Sequence, residues 1–138
     1  MRKTEPWQRV ALLLAIAAAT LGAGISDLDR EVVTLTTDAD GTLRERRIWF
    51  AELDGSLFIR TTPRATWGQN VARTGDVELR AGEQTYAFAA VRVDAPADLD
   101  RIHERFREKY GRDDWWADRL RFFFGGKVTY RLEPLPEP

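Results

Sequence analysis

"GTLRERRIWFAELDGSLFIRTTPRATWGQNVARTGDVELRAG", residues 41–82, packs strand, turn and short-helix signals into one run. In "TLRERRIWFAEL" (42–53), Arg44, Arg46 and Ile48 point one way while Glu45, Arg47 and Trp49 point the other, as a strand requires. "DG" at 54–55 is a strong hairpin signal, because both positions of such a turn take positive φ. "SLFIRTT" (56–62) reads as the next strand. Pro63, Arg64 and Ala65 then separate it from "TWGQNVART" (66–74), which suits a short helix ended near Gly75 and capped by Thr66. "DVELRA" (76–81) returns to strand character.

The same punctuation continues on both sides. "VVTLTT" (32–37) is β-branched and bounded by the turn signal "DADG". "QTYAFAAVRVD" (84–94) pairs with 76–81 across Gly82. The period then changes. In "APADLDRIHERFREKYG" (95–111), Pro96 stands at a helix start and Leu99, Ile102, Phe106 and Tyr110 recur on one apolar face. "DDWWADRLRFFFGG" (113–126) reads as a second helix, capped by Asp113 or Asp114 and ended by glycines, and "KVTYRLEP" (127–134) as a final strand. These elements predict an α+β domain: about six short antiparallel strands in a small barrel or curled sheet, with two helices in the C-terminal half. "WW" and "FFF" read as core and interface in preference to a cofactor box, and so much apolar surface on a small domain favours a homodimer.

Composition removes several functional classes. A chain of 138 residues with net charge −1 supplies one core and no overall field for nucleic acid. There is no Cys and only one His, His103, so thiol catalysis, disulfides and multi-histidine metal sites are excluded. His103 lies beside the apolar helix face and reads as a surface or partly buried residue before it reads as an acid or base. Three of the 21 basic residues are Lys and the rest are Arg, so a single Arg carries little weight as an anion ligand.

The N-terminus is a separate segment. Arg2, Lys3 and Arg9 precede an uncharged run over residues 10–25, the layout of a signal peptide or membrane anchor. As a helix it spans roughly 24 Å, short of the ~30 Å hydrocarbon core unless its basic flank snorkels. The alternative is an apolar helix packed on the domain or on a second subunit. Insertion would keep the N-terminus inside and place a domain of residues 26–138 outside the cytoplasm; otherwise the protein is cytoplasmic.

Residues 41–82 resemble the FMN-binding split β-barrel superfamily, the fold of pyridoxamine-phosphate oxidases and deazaflavin-dependent nitroreductases. Gly41, Arg44, Trp49 and Phe50 match its first motif. Asp54, Gly55, Leu57, Phe58 and Thr61 match the second, and Trp67, Asn70 and Val71 the third. The later "LDRIHERFREKYG" is similar to an uncharacterised bacterial subgroup. Leu43 stands where many members have Pro, and the basic turn is shorter than in the oxidases. The resemblance implies an FMN or deazaflavin cofactor and an oxidoreductase acting on a small molecule. The alternative is a non-catalytic ligand-binding or interaction domain, exported or tethered to a membrane.

"RTTPRAT" is where a phosphate would sit. Arg forks, hydroxyls and unpaired N–H groups at a helix start are the chemistry it needs. Arg60, Thr61, Thr62, Arg64, Thr66 and Trp67 are therefore candidate cofactor-binding residues. By resemblance Arg44, Arg46 and Ile48 join them against the ring or its side chain. The competing readings are a solvated connection and, for "RERR", an edge strand protected by charge.

Overall fold

The computed structural model describes residues 29–135. The signal-peptide or anchor segment, residues 1–25, lies outside them. No helix among the described residues is long and apolar enough to cross a membrane.

Seven strands form one antiparallel sheet: β1 (Val32–Thr37), β2 (Leu43–Ile48), β3 (Phe50–Leu53), β4 (Ser56–Thr61), β5 (Asp76–Ala81), β6 (Gln84–Arg92) and β7 (Val128–Pro134). The helices are α1 (Thr66–Thr74), α2 (Pro96–Tyr110) and α3 (Arg112–Phe123). The strand order is β2-β1-β5-β6-β7-β4-β3. The expectation of about six strands is therefore low by one, because residues 42–53 are two strands broken at Trp49. β2 and β3 occupy opposite edges of the sheet yet are separated by that single residue. Two residue steps span at most about 7 Å, so the two edges must meet there. The sheet curls into a barrel that is open elsewhere.

The corner is held from outside. Phe50 N–H donates to the Tyr110 hydroxyl at 3.1 Å, and Lys109 Nζ donates to the Phe50 carbonyl at 3.1 Å. These side chains of α2 take the edge-side backbone groups that no strand can pair. Tyr110 also stacks on Trp49, with ring centroids 4.3 Å apart.

Two apolar clusters follow from the alternation. Val32, Ile48, Phe50, Leu57, Ile59, Val77, Leu79, Phe88 and Leu132 fill the barrel, plugged at one end by Trp67 and Val71 of α1. On the outer face, Ala51 and Phe58 pack against Ile102, Phe106 and Tyr110, the predicted apolar face of α2. The Asp54–Gly55 turn has φ of 53° and 78°, as its hairpin type demands. Gly75, at φ 74°, ends α1 with its N–H on Val71 O.

Both predicted helix caps are corrected. Ala65 is the N-cap of α1, set there by a turn in which its N–H bonds Thr62 O, and no side chain caps the helix. Gly111 is the N-cap of α3, again without a side-chain cap. Asp114 is instead fully buried and ion-paired with Arg60 of β4. Of the expectation that "WW" and "FFF" are core and interface, the core part is overturned. Trp115, Trp116, Phe122, Phe123 and Phe124 are exposed, because α3 turns Asp114, Asp118 and Arg121 inward.

That inward face makes a charged layer under the barrel. Arg60 pairs with Asp114, Arg121 lies 3.5 Å from Asp114 and 2.8 Å from Asp118, and Lys127 bonds Asp118 at 3.0 Å. His103 Nδ1 is 3.4 Å from the Arg60 guanidinium. Burial first, then Lys127 and Arg60, push the imidazole down to about 4, so His103 is neutral near pH 7.

Three tests follow. Arg60→Ala leaves the Asp114 charge buried without its main partner and should cost about 3–5 kcal/mol in chemical denaturation; a loss under 1 kcal/mol would contradict the pairing. At Gly68 an added Cβ would stand 2.7 Å from Thr61 Cγ2 and 2.9 Å from its Cβ. Gly68→Ala should therefore lower stability by about 1–3 kcal/mol, outweighing the gain of roughly 1 kcal/mol in helix propensity. An unchanged urea midpoint would count against so close an approach. For His103, the folded chain binds fewer protons than the unfolded chain between about pH 4 and 6.5. Its share of the stability rises with pH through that window and is lost on acidification. His103→Gln should flatten the stability profile there relative to the native chain, and parallel profiles would argue against a buried neutral imidazole.

Candidate functional site

The barrel corner, the end of β4 and the start of α1 enclose a groove of about 540 Å³. β2 supplies Arg46, Arg47 and Ile48 to one wall, with Trp49 at the corner. The end of β4 supplies Arg60, Thr61 and Thr62 to the floor, and the turn into α1 supplies Arg64, Ala65 and Trp67. Glu31, Phe106, Arg121 and Phe124 complete the lining. A second hollow of about 570 Å³ adjoins it, sharing Arg46, Arg64, Ala65 and Trp67 and adding Arg44 and Thr66. Seven of the nine residues singled out in the sequence thus line the groove, and the other two line its neighbour. Sequence reasoning passed over Arg47, Trp49, Glu31, Phe106, Arg121 and Phe124. The Trp49–Phe50 pair was legible as a strand residue facing each way, but not as the point where the sheet edges meet.

The arginines divide into two groups. Arg60 is almost wholly buried, and its charge is matched by Asp114. Burial first, then Arg121, push its guanidinium down to about 10, so it stays protonated at neutral pH. Its carbon lies 3.7 Å from the centre of the Phe106 ring. Arg121 is held by Asp118 and Asp114. Arg44 is turned away to Asp38, 2.6 Å from Oδ2. The hydrogen bond from Asn70, with Arg44 adding to it, holds that carboxyl below the usual carboxylate range. Arg46, Arg47 and Arg64 form no side-chain hydrogen bond or ion pair among the described residues. Only Glu31 in the lining opposes them.

The α1 N-terminus adds backbone donors. Gln69 N–H is the first to find a helical carbonyl, that of Ala65, leaving the first turn without intrahelical acceptors. No side chain caps it and no acidic residue occupies that turn. The turn itself is tied by Gln69 Nε2 to Pro63 O at 3.2 Å. Flexible forks, fixed N–H groups and two threonine hydroxyls thus border one space, beside the apolar faces of Trp49 and Trp67. The arrangement can hold a dianion and lay a flat ring next to it. Among the described residues no cluster of His, Asp or Glu is built for a metal ion.

No family model matches the chain, and no curated protein matches it in sequence. Solved structures do match in shape. The heme storage protein HutZ from Vibrio cholerae aligns with TM-score 0.63 at 16% identity, over 78% of this chain and 83% of that one. A putative pyridoxamine 5′-phosphate oxidase from Listeria innocua aligns with TM-score 0.60 at 14% identity, over 90% of this chain and 94% of its own. The F420-H2-dependent reductase FDR-A aligns with TM-score 0.59 at 19% identity, over 80% of this chain and all of the reductase. At such identities the likeness carries the architecture, which agrees with the motifs of residues 41–71. The chain shares the α+β split β-barrel fold of these structures.

Proposed function

We propose that the groove binds FMN or a deazaflavin and that the protein is an oxidoreductase acting on a small molecule. The observation that carries this reading is the meeting of Arg46, Arg47 and Arg64 with the uncapped start of α1. A phosphate answers both features, since each leaves positive charge and donors without a partner among the described residues. Thr61 and Thr62 add hydroxyls at the floor, and Trp67 presents an apolar ring at the same end. In the adjoining hollow Thr66 would stand beside a longer cofactor tail, whereas Arg44 is held by Asp38. Ile48 and Trp49 would flank the ring, and Glu31 is the one carboxylate able to receive a hydrogen bond from it.

When bound, such a cofactor supplies hydride or electron transfer, and the chain supplies position and electrostatics. Its own residues would hold the anion, screen one ring face with Trp49, and keep a net positive field over the pocket. A heme reading, suggested by the storage protein of the same fold, is less well supported. The lining holds no His, Cys, Met or Tyr to ligate iron. The non-catalytic reading draws its support from the lack of any acid or base in the lining besides Glu31.

Titrating the protein with FMN, riboflavin and a deazaflavin, with tryptophan quenching as the readout, tests this directly. Arg46→Ala with Arg64→Ala removes two charge-assisted contacts and should weaken FMN roughly 10- to 100-fold. Riboflavin, which lacks the phosphate, should change little. Equal losses for both ligands, or no binding of any of the three by the native chain, would overturn the proposal.

A further inference from the structure

We infer that α3 and the turn after it lie on a lipid bilayer, so that the barrel rests on a membrane through its aromatic face. The first observation is the face itself. Trp116 and Leu120 are each 61% exposed, Phe122 is 80% exposed and Phe123 74%, with Trp115 and Phe124 at the margins. At 100° per residue these side chains sweep an arc of roughly 160° around the helix. The seam buried by one packed helix is narrower, whereas a continuous apolar phase covers such an arc at once.

The second observation is charge. Two of the three acids of α3 are withdrawn from this face: Asp114 is buried under Arg60 and Asp118 is held by Arg121 and Lys127, while the exposed Asp113 at its edge is paired with Arg30. Arg119 stays on the face, with its guanidinium carbon 4.2 Å from the Trp115 ring centre. Paired tryptophans, phenylalanines and a stacked Arg are the side chains that settle at a membrane–water interface.

The third observation is where the chain arrives. Arg30, five residues after the uncharged 10–25 run ends at Ile25, is ion-paired to Asp113 in the first turn of α3. Five residue steps from Ile25 to Arg30 reach at most about 18 Å, the length of α3 itself. An apolar segment that enters a bilayer therefore delivers the domain with α3 toward the same surface. The two signals then act on one surface and together fix how the domain faces it. Phe124 belongs both to this face and to the groove lining, so the groove would open at the lipid surface.

The chain has no cysteine, so single cysteines introduced for labelling report without background. Full-length protein carrying Trp116→Cys, Phe123→Cys or, as the control on the β5–β6 turn, Glu83→Cys would be labelled with an environment-sensitive fluorophore. Each would be reconstituted into vesicles of phosphatidylcholine and phosphatidylglycerol, with thermal unfolding confirming that each variant is folded. Labels at 116 and 123 should shift to the blue and lose roughly half their emission to a nitroxide set about 5–10 Å below the headgroups. The label at 83 should do neither. A blue shift without lipid quenching would mean that a second copy or residues 10–25 cover the face, and would overturn the inference. Water-like emission at 116 and 123, or failure of the full chain to associate with vesicles, would overturn it equally.

Discussion

The buried pair between Arg60 and Asp114 decides how the rest of the domain is arranged. Arg60 leaves β4 on the face opposite the barrel interior, and no water reaches its guanidinium. A charge in that position needs a partner close by, and Asp114 brings one from the first turn of α3. Drawing Asp114 inward draws Asp118 and Arg121 with it, because the three share one side of the helix. Lys127 and His103 complete the layer. The helix is thereby docked by its charged face, and its apolar residues are left outside. This inversion is what puts Arg121 and Phe124 at the groove and the tryptophans in contact with whatever lies beyond.

A second constraint is topological. The chain crosses from one sheet edge to the other over Trp49, which closes the barrel at that point and leaves Phe50 with unpaired edge groups. Tyr110 and Lys109 occupy them, so α2 is fixed to the corner as well as to the apolar cluster beneath it. Groove walls made from β2, β4 and α1 meet at this corner. Their spacing follows from a closed, hydrogen-bonded junction, and the site is accordingly built from strand ends and a helix start more than from long loops.

Much of this was legible in the chain, and the failures have one cause. Strand alternation, the Asp54–Gly55 turn, the Gly75 stop and the period of α2 all depend on neighbours within a few residues, and each is observed. Residues 60–67 were also singled out, since hydroxyls and arginines before a helix are a local signal, and the fold gathers most of them at one groove. What failed depends on distant partners. The aromatic residues of "DDWWADRLRFFF" were read as core as well as interface, because burial of apolar area is the larger average effect. A single buried Arg on β4, more than fifty residues away, reverses that orientation. The caps failed similarly: Asp114 resembles a cap in isolation and is spent on Arg60. The break at Trp49 was hidden because strand alternation continues across it.

The same reversal sharpens the reading of the groove. Taken from sequence, Arg60, Arg64 and the "RERR" arginines are equivalent sources of positive charge. In the fold they are not. Arg60 and Arg121 are neutralised by acids they cannot leave without exposing a buried carboxylate, and Arg44 is occupied by Asp38. The field in the groove therefore comes from Arg46, Arg47 and Arg64, together with the first turn of α1. Arg46 and Arg47 come from β2 and Arg64 from the turn into α1, so a ligand must present its charge at the point where all three can turn toward it. A compact multivalent anion such as a phosphate meets that condition with one group, while a single carboxylate would leave at least one fork unmatched. Selectivity for a phosphate-bearing ligand would then rest on the ion pairs beneath the floor as much as on the arginines above it, because those pairs decide which cations remain available.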